Sequence, residues 1–329
     1  MKRSLCAVAA AALIASAGQA MARDQIRIVG SSTVFPFATA VAESFGKATG
    51  NPIPVVESTG SGGGLKLFCS GVGTDTPDIT NASRRMKAKE FKLCNENGVT
   101  EIVEAIVGYD GIVVANAMKA PEFALSREIL FTALAKGQGE PTMWNEIDPS
   151  LPAAKIEVLG PPPSSGTRDA FEELAIQKGC REAGHDKAFC KKVEIRDDGV
   201  YVDAGENDNL IVSKLEANPN ALGVFGFSFL DQNADRIKGA TVGGVEPSFE
   251  NIAGGDYPVS RTMFFYIKTA HVGVVPGIME YAGEFVSEDA SGEDGYLTEK
   301  GLIPLDVDAH EENAERVTSG AGMTGDDLH

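Results

Sequence analysis

EIVEAIVGYDGIVVA, residues 101–115, is the stretch on which the fold turns. It is long and strongly β-prone, rich in Ile and Val, yet Gly108, Tyr109, Asp110 and Gly111 interrupt it midway. Such an interruption inside one extended run suggests a chain crossing between two lobes. A second extended, aromatic-rich segment from Tyr257 to Lys268 offers the return crossing. Two crossings put both termini in one lobe, residues 23–109 and 258–329, and leave 110–257 as the other. The length agrees, because 329 residues exceed the roughly 250 to 300 at which a single core stops growing.

Outward from that stretch, β-branched runs alternate with helical-period segments, the pattern of parallel strands with crossover helices, so the class is α/β. Ile26 to Val29 is a short strand. Pro36 to Lys47 carries Phe37, Val41 and Phe45 at helical spacing, with Gly50 placed to end the helix. Pro52 to Val56 is the next strand, Gly62 to Ser70 a helix opening in glycines, and Asp78 to Thr80 and Lys155 to Leu159 are further strands. The tail from Glu312 to His329 is polar and is expected to fray at its end.

Composition removes whole classes of function. Apolar residues make up 43% of the chain, which excludes disorder. Acidic residues outnumber basic ones 47 to 29, giving −18 with no Lys/Arg block beyond short pairs such as Lys191 and Lys192. Nucleic acid and anionic membrane are therefore poor partners. Lys2 and Arg3 lead into an Ala-rich run from Leu5 to Ala17, then Ala20, Met21 and Ala22 in the small-x-small arrangement of a signal-peptidase site. Residues 1–22 read as a cleavable signal, too short to span a bilayer, and Cys6 stands too early for a lipoprotein anchor. The mature chain is expected to be exported, without membrane insertion, at a formal charge of −20.

Cleavage leaves Cys69, Cys94, Cys180 and Cys190, which in an exported chain read as two disulfides. Three connectivities are possible. The sequence-local one, Cys69–Cys94 and Cys180–Cys190, is the expectation, each pair closing a loop within one lobe. No Cys-x-x-Cys is present and the histidines are scattered at 185, 271, 310 and 329, so neither metal nor cofactor is expected.

Three places share one design, a Ser/Thr-Gly turn that opens a helix. They are Gly30-Ser31-Ser32-Thr33-Val34-Phe35-Pro36, Ser58-Thr59-Gly60-Ser61-Gly62-Gly63-Gly64, and Ser164-Ser165-Gly166-Thr167-Arg168. Each helix start presents unpaired N–H groups and about half a positive charge, and hydroxyls add donors. Such ends bind anions, and glycine lets several N–H groups converge on one small oxyanion. The alternative is ordinary N-capping. Nucleotide loops fail on spacing: no Gly-x4-Gly-Lys-Ser/Thr occurs, and Leu65 spoils a Gly-x-Gly-x-x-Gly reading. No Gly-x-Ser-x-Gly elbow frames Ser32, Ser61 or Ser165, so a serine-dependent phosphoester hydrolase is poorly supported and no enzyme is expected.

These residues resemble the periplasmic phosphate-binding proteins of the PstS type, which feed phosphate to ABC importers. The likeness rests on GSSTVFPF at 30–37, STGSGGG at 58–64, PDITNASRRMK at 77–87, SSGTRDAF at 164–171, GENDNL at 205–210 followed by ALGVFGFSF, and YPVSRTMFFYIK from 257. The resemblance implies a two-lobed periplasmic binding protein of type II, the venus-flytrap architecture, that holds a dehydrated ligand between its lobes. It implies inorganic phosphate and an inner-membrane ABC permease as partners of a periplasmic monomer. The ligand set it implies is Ser32, Thr33, Val34, Ser61, Ser83, Arg84, Ser165, Gly166, Thr167 and Arg168.

The chain departs from the best-known form of that pattern. Pro161 stands where an Arg precedes the Ser-Gly-Thr turn, and Ser83 where an Asp follows Asp78 by five residues. Arg84 and Arg168 stand next door and are the basic ligand contacts expected instead. The missing Asp bears on selectivity, because a carboxylate accepts the proton of monohydrogen phosphate and repels sulfate. Asp208, Glu206, Asp169 and Asp110 are the candidate replacements, with Asp208 favoured. Sulfate or arsenate stays open as the ligand.

Overall fold

The computed structural model describes residues 23–31, 33–163, 165–205, 208–326 and 328, with the side chains of 208 and 209 excepted. The signal expected over 1–22, together with Ser32 and Glu206, lies outside them, as does the Asp208 side chain. Strands run β1 Arg27–Gly30, β2 Val55–Ser58, β3 Ile79–Ala82, β4 Ile102–Ala117, β5 Ala124–Leu125, β6 Val158–Gly160, β7 Tyr201–Asp203, β8 Leu222–Gly226, β9 Ile237–Gly239, β10 Thr241–Val242 and β11 Ser260–Lys268.

One sheet has the order β2-β1-β3-β11-β4-β8-β6-β7, with β9 also on β4. The pairs β1–β2, β1–β3, β6–β7 and β6–β8 are parallel, as crossover helices require. β11 lies antiparallel to β3 and β4, and β4 antiparallel to β8 and β9.

The 16-residue β4 is the axis of the molecule. Its first part, Ile102 to Gly111, pairs with β11, and from Ile112 onward it pairs with β8 and then β9. The glycines do not break the strand. The register slips between Met263 and Phe264 opposite Gly108 and Ile106, a bulge on β4. Gly108 has φ +145°, and a Cβ there would fall 2.6 Å from the carbonyl oxygen of Ile303, so the glycine admits a third passing strand of backbone.

The apolar core divides along the same line. One cluster gathers Ile112 to Val114, Trp144, Phe171, Phe225, Tyr257 and Val259. Two others gather residues of the opposite half, including Phe37, Phe45, Val107, Phe265 and Tyr281, and Leu65, Phe68 and Tyr266. Ile303 reaches across into the first cluster. The molecule is two-lobed, with its type II topology carried by the shared strand.

Local structure follows the residues. Helix Phe35–Thr49 buries Phe37, Ala38, Val41, Ala42 and Phe45 on one face and stops at Gly50, which caps it at φ 72°. Burial of such apolar side chains contributes roughly 1.5 to 3 kcal/mol each. Both expected disulfides form, Cys69–Cys94 and Cys180–Cys190. Three expectations need correction. The strand read over Pro52 to Val56 lies at Val55–Ser58, in register with Arg27 to Gly30. The strand read over Lys155 to Leu159 lies at Val158–Gly160, because Lys155 instead bridges Met143. The tail is docked: Val307–Thr318 is a helix burying His310, Asn313 and Val317, and the Met323 N–H donates to the Ile102 carbonyl at 2.8 Å.

Candidate functional site

β1, β2 and β3 end side by side, with Gly30 in register with both Ser58 and Asn81. The turns that leave their carboxyl ends therefore emerge next to each other, where open α/β sheets bind ligands. Gly30, at φ +133°, lies so close to β3 that a Cβ would sit 2.1 Å from the Asn81 carbonyl. A Cβ on Gly64 would lie 2.5 Å from the Gly30 Cα. Helix Ser61–Phe68 thus lies almost flat on β1, with its start at the strand ends. Asp78, at the other end of β3, is a brace: it accepts from Arg23 at 2.6 Å, the Arg27 N–H at 2.7 Å and His271 Nδ1 at 2.6 Å.

A cavity of about 410 Å³ opens there, between the lobes. From the first lobe it is lined by Ser31, Thr33, Gly60, Ser61, Gly62, Ser83, Arg84 and Lys87, and from the second by Asp169, Glu173, Gln177, Arg181, Lys187, Cys190 and Lys191, with Arg261 at the crossing. Ser61 Oγ accepts the Ser83 N–H at 3.0 Å and lies 3.1 Å from Ser83 Oγ, tying two of the turns together. Arg84 holds Glu90 through two bonds of 2.9 and 2.7 Å.

Thr33, Ser61, Ser83 and Arg84 are thus brought together. Val34, Ser165, Gly166, Thr167 and Arg168 are not among the lining residues, although Asp169 and Glu173 of the same helical run are. Ser165 stands at the N-cap position of helix Gly166–Phe171, without a side-chain capping bond, and the helix continues through a π-helical turn, Glu172–Gln177. Arg168 is 8% exposed. Its guanidinium lies 4.1 Å over the Tyr201 ring, and its Nε donates to Glu172 at 2.6 Å.

Arg261 is the feature that sequence reasoning missed. Its side chain donates to Thr33 Oγ1 at 2.7 Å, Asp110 at 3.0 Å and Glu173 at 2.7 Å, so it joins a ligand turn, the crossing strand and the second lobe. The residue lies inside the quoted YPVSRTMFFYIK, but nothing local marks it. Lys87, Arg181, Lys187 and Lys191 were also missed, although Lys187 and Lys191 are four apart, a helical spacing that points one way. Among the described residues six cations line the cavity against two carboxylates, and the Arg84 guanidinium beside Lys87 holds that ammonium below its ordinary range.

Of the two candidate proton acceptors whose side chains are described, Asp169 and Asp110, Asp169 is in the lining. Partial loss of hydration in the cleft pushes its carboxyl above the usual range, while Arg261 and Arg168 pull it back. Asp110 is engaged by Arg261.

A family model described as a PBP superfamily domain matches residues 15–289. The chain belongs to the PBP superfamily. Among relatives of this superfamily member, Protein SphX of Synechocystis sp. is 31% identical over 310 residues, which cover 92% of this chain and 84% of that one. The phosphate-binding protein PstS of Staphylococcus saprophyticus is 27% identical over 267 residues, 79% of this chain and 75% of that one. The solved structure of a possible phosphate binding protein from Planctomyces limnophilus aligns with a TM-score of 0.76 at 28% identity, covering 90% of this chain and 98% of that one. The superfamily's two-lobed architecture accounts for a cleft whose walls come from separate cores. Among the described residues no helix is long and apolar enough to cross a membrane, and no group of His, Cys, Asp or Glu could hold a metal ion.

Proposed function

We propose that this superfamily member is a non-enzymatic receptor that binds inorganic phosphate in the cell envelope and delivers it to an inner-membrane ABC permease. Phosphate named for PstS and for the Planctomyces structure supports the ligand class. The observation that carries the reading is the meeting of Thr33, Ser61, Ser83 and Arg84 in one cleft at the carboxyl ends of β1, β2 and β3.

In this reading the first lobe, residues 23–109 and 258–329, offers Ser32, Thr33, Val34, Ser61, Ser83 and Arg84. The second, 110–257, closes Ser165, Gly166 and Thr167 onto the ion. Arg168 joins only by leaving Tyr201, and Arg84 by sharing Glu90. Hydrogen bonds to a charged group contribute about 1.5 to 3 kcal/mol each. About seven of them support micromolar binding, about −8 kcal/mol, after desolvation and closure. Asp169, which lines the cleft, accepts the ligand proton, the role the sequence gives first to Asp208. Residues 1–22 direct export to the periplasm, and the protein acts as a monomer.

The test is titration calorimetry on protein freed of bound anion by unfolding and refolding. Phosphate is expected to bind at a stoichiometry of one with a micromolar or tighter Kd, ahead of sulfate and arsenate. Preference for another oxyanion would reassign the ligand, and no oxyanion binding would overturn the reading.

A further inference from the structure

The protein carries −18 overall, yet among the described residues the cleft is bordered by six cations and two carboxylates. Elsewhere several basic side chains are held by carboxylates: Arg127 pairs with Glu182, Arg196 with Asp198, Arg236 with Glu216 and Lys238 with Glu122. At the cleft mouth three cations stand close together in sequence and line one opening. Arg181, Lys187 and Lys191 are exposed and pair with no carboxylate among the described residues; Arg181 donates only to the Gln177 carbonyl, at 3.3 Å. Across the gap, Lys87 of the first lobe feels the charge of Lys187.

Their presentation is built into the fold. The Cys180–Cys190 disulfide closes a tight hairpin of helices, Lys178–Glu182 and Lys187–Cys190, with Arg181 and Lys187 within the loop and Lys191 immediately after it. Asp186 caps the second helix through the N–H groups of Ala188 and Phe189, which occupies the nearest carboxylate of the loop with backbone.

We propose that this disulfide-held basic rim, Arg181, Lys187 and Lys191 with Lys87 opposite, is an electrostatic collector that draws a divalent oxyanion into the cleft against the negative field of the rest of the molecule. The inference rests on the receptor reading above. Clefts lined by one sign of charge focus the field and raise association rates, an effect that salt removes. The rim acts on capture: its side chains stand at the mouth, while the hydroxyls and N–H groups at the strand ends hold the captured ion. Charge steering also favours the dianion over the monoanion, so capture of phosphate should accelerate as pH rises through its second ionisation.

The experiment compares the wild type with Lys187→Gln/Lys191→Gln, a surface pair whose replacement leaves both cores and the disulfide in place. Calorimetry supplies Kd, and 31P exchange spectroscopy with inorganic phosphate supplies koff; their quotient is kon. Measurements are made at about 10 mM ionic strength, where the Debye length is about 30 Å, and at about 1 M, where it is about 3 Å. At low salt kon of the double variant is expected to fall by about threefold or more with koff unchanged, and at high salt the two proteins converge. An unchanged kon at low salt overturns the inference, and so does a loss expressed in koff, which would make the lysines contacts of the bound ion. A wild type that leaves phosphate free overturns the receptor reading and this inference together.

Discussion

A carboxylate beside an oxyanion sorts ligands by whether they still carry a proton. Asp169 lines the cleft with a carboxyl raised above its ordinary range by lost hydration, and it faces Arg261 and Arg168. Asp169→Asn removes the charge that repels sulfate and weakens acceptance of the phosphate proton. The ratio of phosphate to sulfate affinity is expected to shrink by about tenfold, the effect of one charge-assisted hydrogen bond, in competition calorimetry near neutral pH. An unchanged ratio would move the acceptor role to Asp208. At this scale the sequence told half the story. The hydroxyl turns at Thr33 and Ser61 were readable because their chemistry is local. Arg261 was not, since its partners Thr33, Asp110 and Glu173 lie 228, 151 and 88 positions away. The place of Arg168 beside the Ser-Gly-Thr turn is legible, but its packing on the Tyr201 ring is not, since that ring belongs to a strand 33 residues on.

The helix Ser61–Phe68 can deliver its first N–H groups to the cleft only because Gly64 lets it lie against β1. Gly64→Ala places a methyl 2.5 Å from the Gly30 Cα and 2.7 Å from Thr80 Oγ1. The backbone contact cannot be relieved by a rotamer change, so a stability loss of about 1 to 3 kcal/mol is expected in chemical denaturation. Phosphate affinity should fall as well, because Ser61 is displaced; a variant with wild-type stability would contradict the packing argument. The run of glycines was visible in the sequence, and so was a helix start. Which glycine touches the sheet was not, since that depends on where the strand lies beneath. The shift of β6 to Val158–Gly160 has the same origin: tertiary pairing chose among nearly equivalent local options.

Two lobes that share β4 and meet over one ligand should be stabilised by that ligand as a unit. Phosphate at about 100 times its Kd is expected to add about 2.7 kcal/mol to the unfolding free energy, read as a rise in Tm by calorimetry. Absence of any rise under saturating phosphate would mean that the folded state gains nothing from the ion. The two-lobed division was legible from length and from the glycines at 108 and 111, since both reflect limits on chain packing. The charge map was not: a total of −18 gives no hint that six cations gather at one cleft among the described residues. The Ile112 N–H donates to the Val259 carbonyl at 2.9 Å, so the outgoing and returning backbones of the second lobe pass through one doorway. The intervening segment is therefore portable. Exchanged at that seam with the matching half of a relative, it would replace one wall of the binding chamber and leave the host half with its own folding instructions intact.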